Sequence, residues 1–236
     1  MSKLEIKDLH AGYVKGIDIL KGVNLDIQDG EVLGVIGLNG SGKSTLGKAI
    51  MNILPYRSGK ISLNGKDVTT LEPKELSRSG ISIMRQGGQV FLTMTVQENL
   101  DIAFGNKPDQ AYRQMITDMI PLLSDKSMAN RTADKLSGGQ RHQLALAMAL
   151  ATKPTLLILD EPSAGLSPVS VEKMYSLLEE VKRTLKVTII LIEQNINKAI
   201  LFCDRCILLS QGVIGSTFEK TDEKDMRTAV MAALGL

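Results

Sequence analysis

A chain of 236 residues with 43 % hydrophobic and 23 % charged side chains has the make-up of a globular protein able to bury a sizeable core. A net charge of +2 is too balanced to argue for nucleic acid from charge alone, and aromatics at 3 % with no Trp argue against a stacking platform for single strands. No apolar run approaches the roughly 20 residues of a membrane span, and Met1 to Leu9 lacks a signal core, so a cytoplasmic protein is expected that serves a membrane only through a partner.

Residues 3–36 read as β structure. Leu4, Ile6 and Leu9 suggest one strand, and Val23, Leu25 and Ile27 alternate in another. Asp29-Gly30 reads as a turn that makes Val23–Ile27 and Glu31–Ile36 antiparallel neighbours. Tyr13, in the loop after Gly12, can stack on an adenine or be a partly buried tyrosine, and its chemistry does not choose between them.

The next stretch organises the chain. Gly37-Leu38-Asn39-Gly40-Ser41-Gly42-Lys43-Ser44-Thr45 fits G-x-x-x-x-G-K-[ST], between an apolar segment of strand length (31–36) and a helical pattern (46–53). Glycines let the backbone curl and aim several N–H groups at one anion. The helix start adds the positive end of its dipole. Lys43 supplies charge for β/γ-phosphates, and the Ser44 hydroxyl is a Mg2+ ligand candidate.

Beyond it, Gly59 to Gly65 reads as a short strand, Pro73 to Ser77 as a short helix and Ile81 to Met84 as a strand. Gln86 stands where that strand stops, before Gly87 and Gly88; it is either a loop amide or a ligand for Mg2+ or water. Residues 90–132 turn helical, with a capping box at Thr95 to Glu98 and a helix over Asp109 to Leu123. The methionines there, among them Met115 and Met119, suit flexible core filling.

Leu136-Ser137-Gly138-Gly139-Gln140 then opens an Ala/Leu-rich, mostly buried helix. Ser137 is a natural N-cap, and the glycines leave the first amides uncovered, so this is either a second anion-binding helix start or an ordinary cap. Leu156 to Leu159 is continuously apolar, as in a parallel strand buried on both faces. It delivers Asp160 and Glu161 to the strand end where open α/β sheets place ligands. There one carboxylate can hold Mg2+ through water and the next can polarise an attacking water; the other reading is a solvated pair. Pro168 opens a helix through Lys186, Val187 to Ile192 is another buried strand ending in Glu193-Gln194-Asn195, and a strand Cys206 to Leu209 and a helix Met226 to Leu234 follow. The cysteines of Cys203-Asp204-Arg205-Cys206 have no second Cys or His pair to complete a metal site and read as reduced, structural thiols.

Taken in order, Gly37–Ser44, Gln86, Leu136–Gln140, Leu156–Asp160 and Glu161 resemble the ATP-binding-cassette ATPases over essentially the whole chain. The Leu136–Gln140 string is the discriminating part. The resemblance implies an α/β P-loop NTPase (RecA-like) core over 1–88 and 152–236, with an antiparallel β subdomain, and an inserted helical subdomain over 89–151. It implies ATP and Mg2+ as cofactors, with Tyr13, Gly37, Asn39, Gly40, Ser41, Gly42, Lys43, Ser44 and Thr45 on the nucleotide and Ser44, Gln86 and Asp160 toward the metal. Glu161, Gln194 and Lys43 become the catalytic candidates. Ser137, Gly138, Gly139 and Gln140 of one subunit would close ATP held by another in a head-to-tail homodimer or heterodimer. The physics agrees: both loops can bind one γ-phosphate only from opposite sides.

The strings 9–13, 94–100 and 192–195 look most like the ATPases of branched-chain and hydrophobic amino acid importers. That implies transmembrane permease partners, indirectly a periplasmic or surface binding protein, no nucleic acid, and a peripheral place on the inner face of the cell membrane. Two departures stand out. Gln194 occupies a position where most of the superfamily has His, and its amide has no titratable proton near neutrality. Gln86 stands where that subfamily often has an acidic residue. The alternatives are an exporter or lipopolysaccharide-type transport ATPase, and a DNA-repair or assembly clamp, which would carry long coiled coils that this sequence lacks.

Overall fold

The computed structural model describes residues 2–220 and 223–234. Strands β1 (Ser2–Gly12), β2 (Leu20–Gln28) and β3 (Val32–Ile36) lead into α1 (Lys43–Ile50). β4 (Tyr56–Leu63), β5 (Lys66–Asp67), α2 (Pro73–Arg78) and β6 (Ile81–Met84) follow. Helices α3 (Val96–Phe104), α4 (Gln110–Met119), α5 (Pro121–Ser124) and α6 (Gly138–Leu150) separate β6 from β7 (Leu156–Asp160). Then come α7 (Pro168–Leu185), β8 (Thr188–Ile192), α8 (Ile196–Phe202), β9 (Arg205–Ser210), β10 (Val213–Glu219) and α9 (Glu223–Leu234).

A six-stranded sheet has the order β10-β9-β3-β8-β7-β6, parallel throughout except for the edge strand β10. A four-stranded antiparallel sheet, β2-β1-β4-β5, stands beside it. The central strands β3, β7 and β8 are buried along their whole length because successive side chains feed two different cores. Leu157, Leu159, Ile189 and Leu191 pack with the helices between β6 and β7 and with α7 and α8. Leu156, Ile158, Ile190 and Ile192 pack with α1 and the antiparallel sheet. Consequently β3, β7 and β8 end in a row at one crest, which is where the polar residues gather.

Asp29-Gly30 does form a turn, but it does not pair β2 with β3. It hands the chain from one sheet to the other, tied by Gln28 N to Glu31 Oε2 at 2.7 Å and Glu31 N to Gln28 O at 3.2 Å. The burial patterns give the reason. β2 alternates buried and exposed, fit for a sheet with one wet face. β3 is buried at all five positions and needs cover on both faces, so it sits between β8 and β9 instead. The single helix expected over 109–123 breaks at Ile120, which adopts an extended conformation (φ −98°, ψ 113°) ahead of Pro121. The helix from Pro168 stops at Leu185, where Lys186 turns left-handed (φ 50°).

Cys203 and Cys206 are free and buried, and burial pushes the Cys203 thiol well up, as expected of inert structural thiols. A Cβ at Gly34 would stand 2.6 Å from the Cys206 sulfur, so the two thiols occupy the space that this glycine of β3 leaves. Among the described residues, no helix is long and apolar enough to cross a membrane.

Candidate active site

The loop between β3 and α1 is shaped by its glycines. Gly42 is the N-cap of α1 at φ 106°, a region that favours glycine, and it offers no side chain to cap the helix. The first intrahelical bond is Leu46 N to Gly42 O at 2.9 Å, so the amides of Lys43, Ser44 and Thr45 precede the helix ladder. Lys43 is buried and curls back, its Nζ donating to Gly37 O (2.9 Å) and Leu38 O (3.0 Å). Burial lowers its pKa, while Glu161, Asp160 and Glu193 pull the other way. The buried Ser41 hydroxyl has no hydrogen-bond partner among the described residues.

Two carboxylates face this loop from the end of β7. Asp160 accepts a hydrogen bond from Ser44 Oγ at 2.9 Å; burial raises its pKa, and the Ser44 bond opposes that rise. Glu161 is buried and held at φ 51°, a strained backbone for a non-glycine residue. Its amide is fixed by Ile192 O at 2.9 Å on the neighbouring strand. One carboxylate oxygen accepts Gln86 Nε2 at 2.6 Å and the other accepts the Gln194 side-chain amide. Gln86 leaves its own amide oxygen free of that contact.

Tyr13, Asn39, Ser44, Gln86, Glu161 and Gln194 thus line one cavity of about 390 Å3, together with Gly40, Gly42, Lys43 and Thr45. Lys48 Nζ donates to the Tyr13 hydroxyl at 3.1 Å and lies 5.3 Å from the ring centre, and the residue is 47 % exposed. Ile19 also lines the cavity and carried no sequence signal of its own.

Ser137, Gly139 and Gln140 lie elsewhere, lining a separate cavity of about 290 Å3 with Ser170 and Lys173. Here the helix start is reciprocally capped. Gln140 N donates to Ser137 Oγ (3.3 Å), and Ser137 N donates to Gln140 Oε1 (2.9 Å). The Gln140 side chain is therefore occupied by its own helix. The Gln86 loop reaches this helix directly. Gly88, at φ 60°, brings its Cα face so close that a Cβ there would stand 3.1 Å from His142 N.

The donors around Ser44, Asp160 and Gln86 are hard oxygens, which suits Mg2+, an ion that keeps several waters and takes few protein ligands. Among the described residues no cluster of three or more His, Cys, Asp or Glu side chains offers a fuller metal cage. The orphaned Ser41 hydroxyl and the open amides of α1 likewise fit an anion that brings its own oxygens.

The sequence profile of the ABC transporter family matches residues 20–164. The "Probable branched-chain amino acid transport ATP-binding protein LivF" of Archaeoglobus fulgidus is 40 % identical over 207 residues, covering 86 % of each chain. The "High-affinity branched-chain amino acid transport ATP-binding protein BraG" of Pseudomonas aeruginosa is 35 % identical over 205 residues, covering 86 % of this chain and 87 % of that one. A solved dimeric ATP-binding cassette in a post-hydrolysis state, bound to ADP and Pi, superposes with a TM-score of 0.80 at 26 % identity, covering 93 % of this chain and 99 % of its own.

Proposed function

The chain belongs to the ABC transporter family, and on that premise we propose that it powers import of branched-chain or hydrophobic amino acids. It is an ATP-binding, ATP-hydrolysing cassette that dimerises and works with transmembrane permease subunits. On our reading the permeases hold it at the inner, cytoplasmic face of the membrane, and a binding protein delivers the amino acid from the other side. Residues 89–151 act as the helical subdomain, and the remainder forms the nucleotide-binding core.

The observation that carries the chemical half of this reading is the Glu161 carboxylate, buried at the crest beside the phosphate loop and gripped by two side-chain amides. Glu161 takes a proton from the attacking water. The amides of α1 and Lys43 hold the β/γ-phosphates, Tyr13 stacks on the adenine, and Gln194 orients Glu161 and the γ-phosphate. Ser44, Asp160 and the Gln86 amide oxygen would hold Mg2+, which supplies charge neutralisation for the transferred phosphoryl group. Ser137 to Gly139 of a second subunit close the site from the opposite side.

The test is co-purification with the permeases encoded beside it, reconstitution in vesicles, and ATPase measured against leucine, isoleucine, valine, other amino acids, amides and sugars. Stimulation confined to branched-chain and hydrophobic amino acids with their binding protein is expected. Stimulation by a sugar or an amide alone, or export of the substrate, refutes the transport reading.

A further inference from the structure

Glu193 is a buried carboxylate to which neither the sequence motifs nor the site described above give a task. It follows the last residue of β8, and its own amide is anchored to Val35 O at 3.2 Å. Three donors converge on it. Ser163 Oγ donates to Oε1 at 2.6 Å, and the backbone amides of Gln194 and Asn195 donate to Oε2 at 2.9 and 3.1 Å. Charge-assisted bonds of this length in a buried site are the strong kind, and they fix both partners at once.

We infer that Glu193 is the positioning residue that locks the Ser163–Ser167 loop to Gln194, and through Gln194 sets the catalytic carboxylate. The contacts close a ring. Glu161 accepts the Gln194 side chain, the Gln194 amide is fixed by Glu193, Glu193 holds Ser163, and Ser163 lies two residues from Glu161 on the same loop. Within that loop, Ala164 N bonds Glu161 O at 3.1 Å and Leu166 N bonds Ser163 O at 3.2 Å, so a shift at one end is felt at the other. The far end touches the second helix start. A Cβ at Gly138 would meet Leu166 at 3.7 Å, and one at Gly139 would meet Ser170 Oγ at 3.2 Å. Glu193 therefore sits midway on a continuous path from Ser137–Gly139 to Glu161.

The surroundings exclude a plain packing role. A residue kept only to fill space at the end of a buried strand would be apolar, since an unpaired buried carboxylate is costly and a hydrophobe of similar volume is often neutral or better. The Tyr175 hydroxyl is also buried nearby, with no hydrogen-bond partner among the described residues; desolvation first, and then Glu193, raises the phenol's pKa. Both oxygens are instead spent on one loop hydroxyl and on the backbone that carries Gln194.

This inference rests on the ATPase reading above, and its test separates the two. Glu193→Ala, Glu193→Gln, Ser163→Ala and Gln194→Ala are compared with the native cassette for ATP affinity, by fluorescent-nucleotide displacement, and for turnover in the assembled transporter. Glu193→Ala should lower kcat about ten- to a hundredfold, the scale of a misplaced catalytic group, with ATP affinity within about threefold. Glu193→Gln, whose oxygen can accept the two backbone amides while its NH2 donates to Ser163, should recover most of that loss and serves as the folding control. In the Gln194→Ala background, Glu193→Ala should add little, because the link it maintains is already cut. Equal losses of kcat and ATP affinity, no recovery in Glu193→Gln, or fully additive effects with Gln194→Ala would each overturn the positioning role. If native turnover is absent, or Glu161→Gln leaves it unchanged, the ATPase reading itself fails instead.

Discussion

The two helix starts that we propose meet an anion are finished differently. At α1 the N-cap is a glycine with no side chain to offer, the first amides stand ahead of the helix ladder, and the Ser41 hydroxyl is buried without a partner among the described residues. At α6 Ser137 and Gln140 satisfy each other's amides in a capping box, while the amides of Gly138 and Gly139 stand ahead of the first ladder bond, Arg141 N to Ser137 O. One end has no side-chain cap; the other caps itself in part. That difference fits the proposed division of the site between two subunits. On that proposal the open end captures and holds a charged nucleotide alone, whereas the capped end stays folded while exposed and meets the phosphate only when a partner arrives.

The strongest way to test the division is to remove chemistry from the α1 side while leaving its cradle whole. Glu161→Gln should lower kcat by about 10²- to 10⁴-fold, the range for losing a positioned base, with ATP affinity retained. Gln194→Ala, which frees one Glu161 oxygen, should lower turnover less, and without moving the pH profile near neutrality, because an amide has no proton to titrate there. An inflection that disappears in this variant would show that Gln194 shapes a titration after all.

Two serine deletions probe the contrast more finely. Ser137→Ala opens the box at α6 and should cost about 1 kcal/mol of stability in the nucleotide-free protein, measurable by urea unfolding, with ATP binding by the isolated chain untouched. Ser41→Ala should do the reverse. Removing an unpartnered buried hydroxyl should leave the nucleotide-free protein as stable or up to about 1 kcal/mol more stable, while ATP affinity falls. If both variants lose stability alike, the α1 start is not the unsatisfied one.

What could be read from the amino-acid order alone follows the same divide. The α1 loop and the Ser137 cap are local strings whose physics is complete within a few residues, and both stand where their spacing put them. So do the buried parallel strands, because a continuous apolar run needs cover on two faces wherever it lies. The failures are non-local. Asp29-Gly30 carries the same dipeptide signal whether a chain folds back on itself or crosses to another sheet, and only the partners of β3, more than 150 residues away in β8 and β9, decide. β10 went unrecognised because Val213 to Glu219, an edge strand with no fully buried residue, interrupts its apolar positions with Gly, Ser and Thr. Glu193 carries no local signal, although it follows a buried strand just as Glu161 does. Its partner Ser163 lies 30 residues back, and nothing in the local order joins them.

The smallest effect uses the chain's two histidines, one near each end of this comparison. His10 lies against two carboxylates, Asp18 Oδ2 at 2.9 Å from Nδ1 and Asp8 Oδ1 at 3.3 Å from Nε2. The Asp18 hydrogen bond, aided by Asp8, raises its pKa above the ordinary 6.5. Asp18 belongs to the 13–19 segment that carries Tyr13, so protonated His10 ties that loop to β1. His142 is buried in α6, with Nδ1 against Gly138 O at 2.9 Å; burial, with Arg141 nearby, lowers its pKa below 6.5, and the Gly138 contact only partly opposes this. The signs are opposite. A raised folded pKa means that His10 stabilises the fold below its unfolded value and loses that contribution as pH rises through the folded one. A lowered folded pKa means that His142 costs stability when pH falls below its unfolded value and charging becomes favourable only in the unfolded chain. In the native protein the two slopes partly cancel across pH 5 to 8. With His10→Asn, the part of the melting temperature governed by histidine should rise with pH through about 6.5; with His142→Gln it should fall as pH climbs above that value. Thermal melts of both variants between pH 5 and 8 read this directly, and parallel slopes in the two would mean that the histidines do not mark the two ends differently.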